Sequence, residues 1–244
     1  MNAIKTGKII LIGSGCGDPD LLTIKAARAL QNADVILYDA LVSEEVLAMA
    51  SASAERIAVG KKGHGVSCLQ SDINEMMVRL AMSGKSVLRL KGGDPLIFSR
   101  AGEEIEAAKK AGIAVEIISG ITTAQGAAAA LGICLTNRKS ARRLQFVTGH
   151  DHKGQLPDDI DWRALADKNA TTVIYMPKKT IGSLSKKIIE NGLDENTPAL
   201  AIMDATLPTQ QVIIGTILSL PQLMNDAKLE GAVLVMIGDV VGAL

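Results

Sequence analysis

Aromatic residues are nearly absent from this sequence, with one Trp, two Tyr and two Phe in 244 residues. A platform on which single-stranded nucleic acid could stack is hard to build from so few rings. Net charge is absent too: 26 Lys and Arg balance 26 Asp and Glu. That removes the electrostatic case for nucleic acid or a membrane surface as partner. Cys16, Cys68 and Cys134 are odd in number and far apart, so neither a disulfide framework nor a zinc spacing is suggested. A reduced, cytoplasmic setting is the natural expectation. The N-terminus, MNAIKTGKIILIGSG, enters a short apolar strand and breaks on glycine, without a signal peptide or a run of membrane length.

What is present is an apolar, globular composition: 48% hydrophobic and 21% charged residues, enough to bury a sizeable core. Short β-rich runs alternate with helix-period segments. KIILI (8–12), VILY (35–38), RIAV (56–59), SVLRL (86–90) and AVEII (114–118) read as strands. Between them, LLTIKAARALQNA, EEVLAMA, LQSDINEMMVRLAMSG and GEEIEAAKKAG read as amphipathic helices. Such alternation means crossover units on a mostly parallel sheet.

In the second half, LQFVTG, TTVIYM, PALAIM, QQVIIGTI and AVLVMIGDVV read as strands and TIGSLSKKIIENG as a helix. QQVIIG follows PALAIM too closely for an intervening helix, so this sheet should be mixed. The fold class expected is α/β: a mostly parallel domain over residues 1–119, a mixed one over 120–244, and the active-site cleft at their junction.

Several motifs fail on inspection. GSGCGD (13–18) sits where a dinucleotide fingerprint would, but Asp18 replaces its third glycine. SGKS (83–86) ends like a phosphate loop, yet Arg79 stands at its first glycine and Ser86 begins a strand. His150 and His152 read as a solvated loop rather than a metal pair, so no metal is expected. No Ser/His/Asp grouping suggests a nucleophile elbow.

Four glycine-bearing strand ends survive: GSGCGDPDLL, VGKKGHG (59–65), KGGDP and SGITTAQG (119–126). The carboxyl ends of parallel strands share one edge, so these loops should converge. Glycine lets backbone groups approach a ligand, and the exposed N–H groups of following helices favour anions. Lys61, Lys62, Arg89, Lys91, Arg100 and Arg138 lie in or beside these loops. Fixed guanidinium forks would suit a small molecule with several carboxylates. The plainer readings are solvated surface for Lys62 and a buried ion pair for Arg89, which alternates with Leu88 and Leu90.

Taken together, GSGCGDPDLLTIKA, ADVILYDALVS, VGKKG, QSDIN, GKSVLRLKGGDPLIFSRAGEE, GITTAQGAAAALGICLTNR, FVTGH and AVLVMIGDVV resemble the tetrapyrrole methylases, and within them the uroporphyrinogen-III C-methyltransferases. The resemblance implies S-adenosylmethionine as methyl donor, a homodimer, and methylation at C2 and C7 to give precorrin-2, towards sirohaem and cobalamin. Position by position it places the donor against Cys16, Gly92, Gly93, Asp94, Ile97, Thr122, Thr123, Met176 and Ala205. It gives Asp39 and Lys61 acid–base roles, and sets Arg100, Glu103 and Arg138 on the substrate side. A later cobalamin precursor as substrate, or a donor-binding homologue without turnover, are the alternatives. A dehydrogenase domain like that fused in some relatives has no room in this length, so oxidation and iron insertion are not expected.

The sequence departs from the family pattern at Cys16, Ser119 and Asn137, where Pro, Pro and His are usual, and at Ala101 and Ala205, where Gly is usual. Met176-Pro177 stands for the usual Met-Gly. Asn137 removes a titratable imidazole beside Arg138.

Overall fold

The computed structural model describes residues 6–60, 68–151 and 153–244. The chain divides into two compact units, Met1–Thr123 and Ala124–Leu244. The first contains β1 (Lys8–Gly13), α1 (Ile24–Leu30), β2 (Val35–Tyr38), α2 (Glu44–Ala48), β3 (Glu55–Ala58), α3 (Gln70–Met82), β4 (Ser86–Lys91), α4 (Ala101–Lys110) and β5 (Val115–Ile118). Its sheet runs β3-β2-β4-β1-β5 with every pair parallel. Central strands covered on both faces need continuous apolar runs, and Ile9 to Ile12 supply one, all at most 5% exposed. Helix starts follow their side-chain caps: Thr23 Oγ1 accepts the Ala26 N–H at 3.2 Å, and Ser43 Oγ that of Val46 at 3.3 Å.

The strand order decides where the loops go. The chain leaves β1, lays down β2 and β3 to one side, and returns to put β4 between β2 and β1. It then places β5 beyond β1. The carboxyl ends of β2, β4, β1 and β5 therefore lie side by side, and the loops after them meet on one edge.

The second unit begins with α5 (Thr123–Leu131), whose first residue belongs to the first unit. β6 (Arg143–Thr148), α6 (Trp162–Leu165), β7 (Ala170–Tyr175), α7 (Ile181–Glu190), β8 (Pro198–Met203), β9 (Gln211–Thr216), α8 (Leu220–Asp226) and β10 (Val233–Ile237) follow. The sheet order is β6-β7-β10-β8-β9, parallel between β6 and β7 and antiparallel elsewhere, so it is mixed as the short β8–β9 connection required. Among the described residues, three helices lie outside the segments whose spacing reads as helical. α5 is an alanine-rich run without an amphipathic stripe, α6 is one turn, and α8 begins at a Leu-Pro step. The N–H of Ala124 in α5 reaches the Tyr175 hydroxyl at 3.4 Å, and Ala124, Ala127 and Ala128 join a core with Val173, Leu200 and Met236.

Candidate active site

Three of the four glycine loops converge. Gly15 and Gly93 exchange backbone bonds, Gly15 donating at 3.2 Å and Gly93 at 2.7 Å, which stitches the loop after β1 to that after β4. A Cβ at Gly13 would lie 2.4 Å from the Gly93 oxygen and 2.6 Å from the Gly120 Cα, and one at Gly120 would lie 2.3 Å from the Gly93 oxygen. Only glycine lets three backbones approach so closely. Gly93 is needed for conformation instead: its φ is +67°, and a Cβ there would make ordinary contact with Thr123 Oγ1 at 3.8 Å. The loop after β3 lies outside the described residues from Lys61 to Ser67, so Lys61 and Lys62 have no described position.

Asp94 fastens this edge. Its Oδ1 accepts the Leu96 N–H at 2.8 Å and its Oδ2 accepts the Gly120 N–H at 3.0 Å. One carboxylate thus shapes its own loop and pins the loop after β5. Gly92, Gly93, Asp94, Ile97, Thr122 and Thr123 therefore come together at the carboxyl ends of β4, β1 and β5, and Cys16 lies in the β1 loop next to bridged Gly15. Leu41 and Leu96 stay well exposed, 67% and 59%, and a Cβ at Gly92 would press on Leu41. A cradle of bare backbone beside exposed apolar side chains suits a ligand with a polar end and a flat apolar body. The residues present fit S-adenosylmethionine, whose carboxylate and amine would need such backbone partners.

Asp39 follows β2 on the same edge, its N–H bonded to Leu90 O at 3.2 Å. Its Oδ1 receives Arg89 Nη2 at 2.5 Å. Arg89 is buried with Lys91 and Glu104. Glu104 Oε1 accepts from Arg89 Nε at 2.9 Å, Lys91 Nζ at 2.9 Å and Gln70 Nε2 at 3.2 Å. Arg89 Nη1 is spent on the carbonyls of Leu37 and Leu90. Burial and the neighbouring Arg89 charge push the Lys91 ammonium below its ordinary value, against the opposing pull of Glu104 and Asp39. The plainer reading of Arg89 holds, and more widely than expected: two cations and two carboxylates share one group. The sequence signal was available, since Arg89 and Lys91 interrupt an apolar strand at alternate positions.

Arg100 and Glu103 open α4. Arg100 adopts φ 60° and ψ 18°, left-handed backbone that side chains rarely tolerate. Its fork grips Glu103 at 2.7 Å and 2.8 Å. That hydrogen bond holds the Glu103 carboxyl below its usual range and raises Arg100.

In the second unit, Met176 and Ala205 follow β7 and β8, which run in the same direction on either side of β10. Met176 has φ 58° and is 38% exposed. Asp204 and Thr206 have φ 51° and 71°, and Ala205 between them is buried in the core. Strained backbone of this kind concentrates at ligand sites. Arg138 is exposed in the turn closed by Asn137 and Ala141, where Asn137 Oδ1 accepts the Lys139 N–H at 2.8 Å. Arg142 just after it bonds to Asn169 before β7, at the end of the second sheet opposite Met176 and Ala205. Among the described residues no group of His, Cys, Asp and Glu is arranged to hold a metal ion.

Two α/β units, the first with a glycine cradle at the carboxyl edge of its parallel sheet, define an α/β protein with a candidate small-molecule site there. Residues 8–221 match the family described as Tetrapyrrole (Corrin/Porphyrin) Methylases, and the chain belongs to that family. It is 46% identical over 235 residues to a siroheme synthase of Thiobacillus denitrificans, covering 96% of this chain and 49% of that one. With the siroheme synthase of Chromobacterium violaceum it shares 45% identity over 239 residues, covering 98% and 50%. The chain thus spans about half the length of these curated relatives. Among solved structures, the uroporphyrin-III C-methyltransferase of Thermus thermophilus complexed with S-adenosyl homocysteine matches at TM-score 0.81 and 34% identity, covering 98% of this chain and 100% of that one. A cobalt precorrin-4 methyltransferase matches at TM-score 0.84 and 27% identity, covering 96% and 95%.

Proposed function

We propose that this chain transfers methyl groups from S-adenosylmethionine to C2 and C7 of uroporphyrinogen III, giving precorrin-2. The observation that carries the reading is the cradle of Gly13, Gly93 and Gly120 with Thr122 and Thr123 beside it, on a chain similar along nearly its whole length to the Thermus enzyme. S-adenosylmethionine, when bound, supplies a methyl group already electrophilic on its sulfonium. The chain's part is to align the attacked carbon with the methyl group and to help remove a proton from elsewhere on the macrocycle, since the attacked carbon is fully substituted and carries none.

Asp39 is the candidate proton acceptor. Arg89 holds its Oδ1, its side chain is 29% exposed, and no other partner engages it among the described residues. Lys61 is its proposed acid–base partner. Cys16, Gly92, Gly93, Asp94, Ile97, Thr122 and Thr123 would receive the donor on the first unit, and Met176 and Ala205 on the second. Arg100 would serve substrate carboxylate binding or proton transfer at the start of α4, with Glu103 beside it on the substrate side holding its guanidinium. Arg138 enters by the family resemblance alone. A homodimer in the cytoplasm is the proposed working state.

A second reading, a later cobalamin precursor as substrate, is favoured by the likeness to the cobalt precorrin-4 enzyme. Mass spectrometry after anaerobic incubation with uroporphyrinogen III and S-adenosylmethionine separates the two. A gain of two methyl groups supports precorrin-2 formation. No gain, with donor binding intact by calorimetry, turns the reading to the later precursor.

A further inference from the structure

The first turn of α4 carries two glutamates with opposite surroundings. Glu103 is exposed and grips Arg100, whereas the next residue, Glu104, is 0% exposed and buried against β4 and α3. Glu104 has no part in the binding of donor or substrate proposed above. Its Oε1 accepts from Arg89 Nε and Lys91 Nζ of β4, each at 2.9 Å, and from Gln70 Nε2 of α3 at 3.2 Å. Its Oε2 is buried as well and has no partner among the described residues. As a device for stability this is poor. Desolvating ions offsets most of their mutual attraction, and well-packed apolar residues of similar volume commonly do as well or better. A buried carboxylate with three donors on one oxygen and none on the other calls for another explanation.

That explanation lies in the rest of the Arg89 fork. Nη1 donates to the carbonyls of Leu37 at 3.4 Å and Leu90 at 3.2 Å, which ties it to both β2 and β4. Nη2 donates to Asp39 Oδ1 at 2.5 Å. A guanidinium is a rigid plane. With Nε held by Glu104 and Nη1 by two strand carbonyls, the plane cannot turn, and Nη2 meets Asp39 from one direction only. Asp39 stands just beyond the end of β2, where a half-exposed carboxylate would otherwise change rotamer readily. Arg89 fixes one of its oxygens, and Glu104 fixes Arg89.

We infer that Glu104 is a positioning residue for the reaction: by locking the Arg89 guanidinium it holds the Asp39 carboxylate in one orientation on the active-site edge. The inference deepens the proposed function and rests on its reading of Asp39 as the proton acceptor. Glu104 touches no substrate. What it supplies is a hydrogen-bond acceptor at a fixed place. A catalytic group displaced by about 1 Å can lose a hundredfold in rate, which gives a lock behind it a use that stability does not.

Two charge-matched double variants separate the lock from the charge. Lys91→Met with Glu104→Gln removes one buried cation and one buried anion, and leaves a side-chain oxygen to accept from Arg89 Nε. Lys91→Met with Glu104→Leu removes the same charges and leaves no acceptor. Side chains of similar volume replace buried ions at little cost, so both should fold, as circular dichroism and calorimetry with S-adenosylmethionine would establish. A neutral acceptor bonds about half as strongly as a carboxylate, so the Gln variant should turn over uroporphyrinogen III within about threefold of wild type. The Leu variant should lose about ten- to a hundredfold in kcat at unchanged KM and donor affinity. Its crystal structure should show the Asp39 carboxylate turned from its place, and its loss of kcat should vanish in an Asp39→Asn background. Equal kcat in the two variants with Asp39 in place in both overturns the inference, because Glu104 would then be merely structural. An equal fall in both overturns it too, since the buried charge and not the acceptor would be what counts. Should either variant fail to fold, Arg89→Lys decides: it keeps the charge but has no fork to span Glu104 and Asp39, and an unchanged kcat there rejects the lock. A displaced Asp39 with kcat intact upholds the lock and removes Asp39 as proton acceptor.

Discussion

Single residues carry unequal burdens along this edge. Gly120 lacks room and Gly93 needs its conformation, so the same substitution fails at each for a different reason. Gly120→Ala drives a Cβ to 2.3 Å from the Gly93 oxygen, which only a shift of the loop relieves. Overpacking of that kind costs about 1–3 kcal/mol. The denaturation midpoint should fall and S-adenosylmethionine affinity with it; wild-type values for both would mean the loops part easily. Arg100 is the opposite case. Its backbone at φ 60° costs about 1 kcal/mol that glycine would not pay, while its exposed pair with Glu103 stabilises little. Arg100→Gly should hold or slightly raise stability in urea and reduce turnover of a carboxylate-bearing tetrapyrrole. Equal turnover would place the substrate carboxylates elsewhere.

Between elements, Asp94 is the tie that matters most. It fastens the loop after β4 to the loop after β5, whereas β4 and β5 themselves do not pair. Asp94→Ala frees the Gly120 and Leu96 N–H groups without touching the strand ladders. Far-UV circular dichroism should be unchanged and S-adenosylmethionine affinity at least tenfold weaker by calorimetry; retained affinity would show that the clamp is dispensable to the donor. The family resemblance sets Asp94 against the donor, and in the fold its oxygens also accept the Leu96 and Gly120 N–H groups. That arrangement depends on β5 lying beyond β1, which no local pattern reveals. The helices show a similar divide. α1, α2, α3, α4 and α7 are legible from their apolar spacing. α5 is not, because a run of alanines has no polar face to set its period.

For the whole molecule, zero net charge conceals a buried lysine, Lys91, that works against folding. The Lys91 pKa is lowered from 10.5, first by burial and then by Arg89. The unfolded chain therefore binds more protons than the folded one between that lowered value and 10.5, and stability contributed through Lys91 rises with pH across this window. Lys91→Met has no such dependence, so urea titrations at increasing alkaline pH should show the difference moving in favour of wild type. A constant difference would mean Lys91 keeps its ordinary proton affinity when folded. Glu103 acts in the opposite sense at acid pH. Its folded pKa is depressed, so the small stability it contributes is present above the ordinary carboxylate range and fades as pH falls through the depressed value.

The alternation of strand and helix, the mixed second sheet and the glycine-bearing strand ends were determined by the sequence alone, because each depends on residues close along the chain. Apolar period, cap chemistry and connection length are local quantities. The meeting of Gly13, Gly93 and Gly120 was implied by the parallel sheet but needed the order β3-β2-β4-β1-β5 to say which loops touch. The cluster of Arg89, Lys91, Glu104 and Asp39 was a matter of tertiary structure throughout. Its members come from β4, from α4 and from the end of β2, and a charge in an apolar strand does not name its partner until the fold brings that partner within about 3 Å.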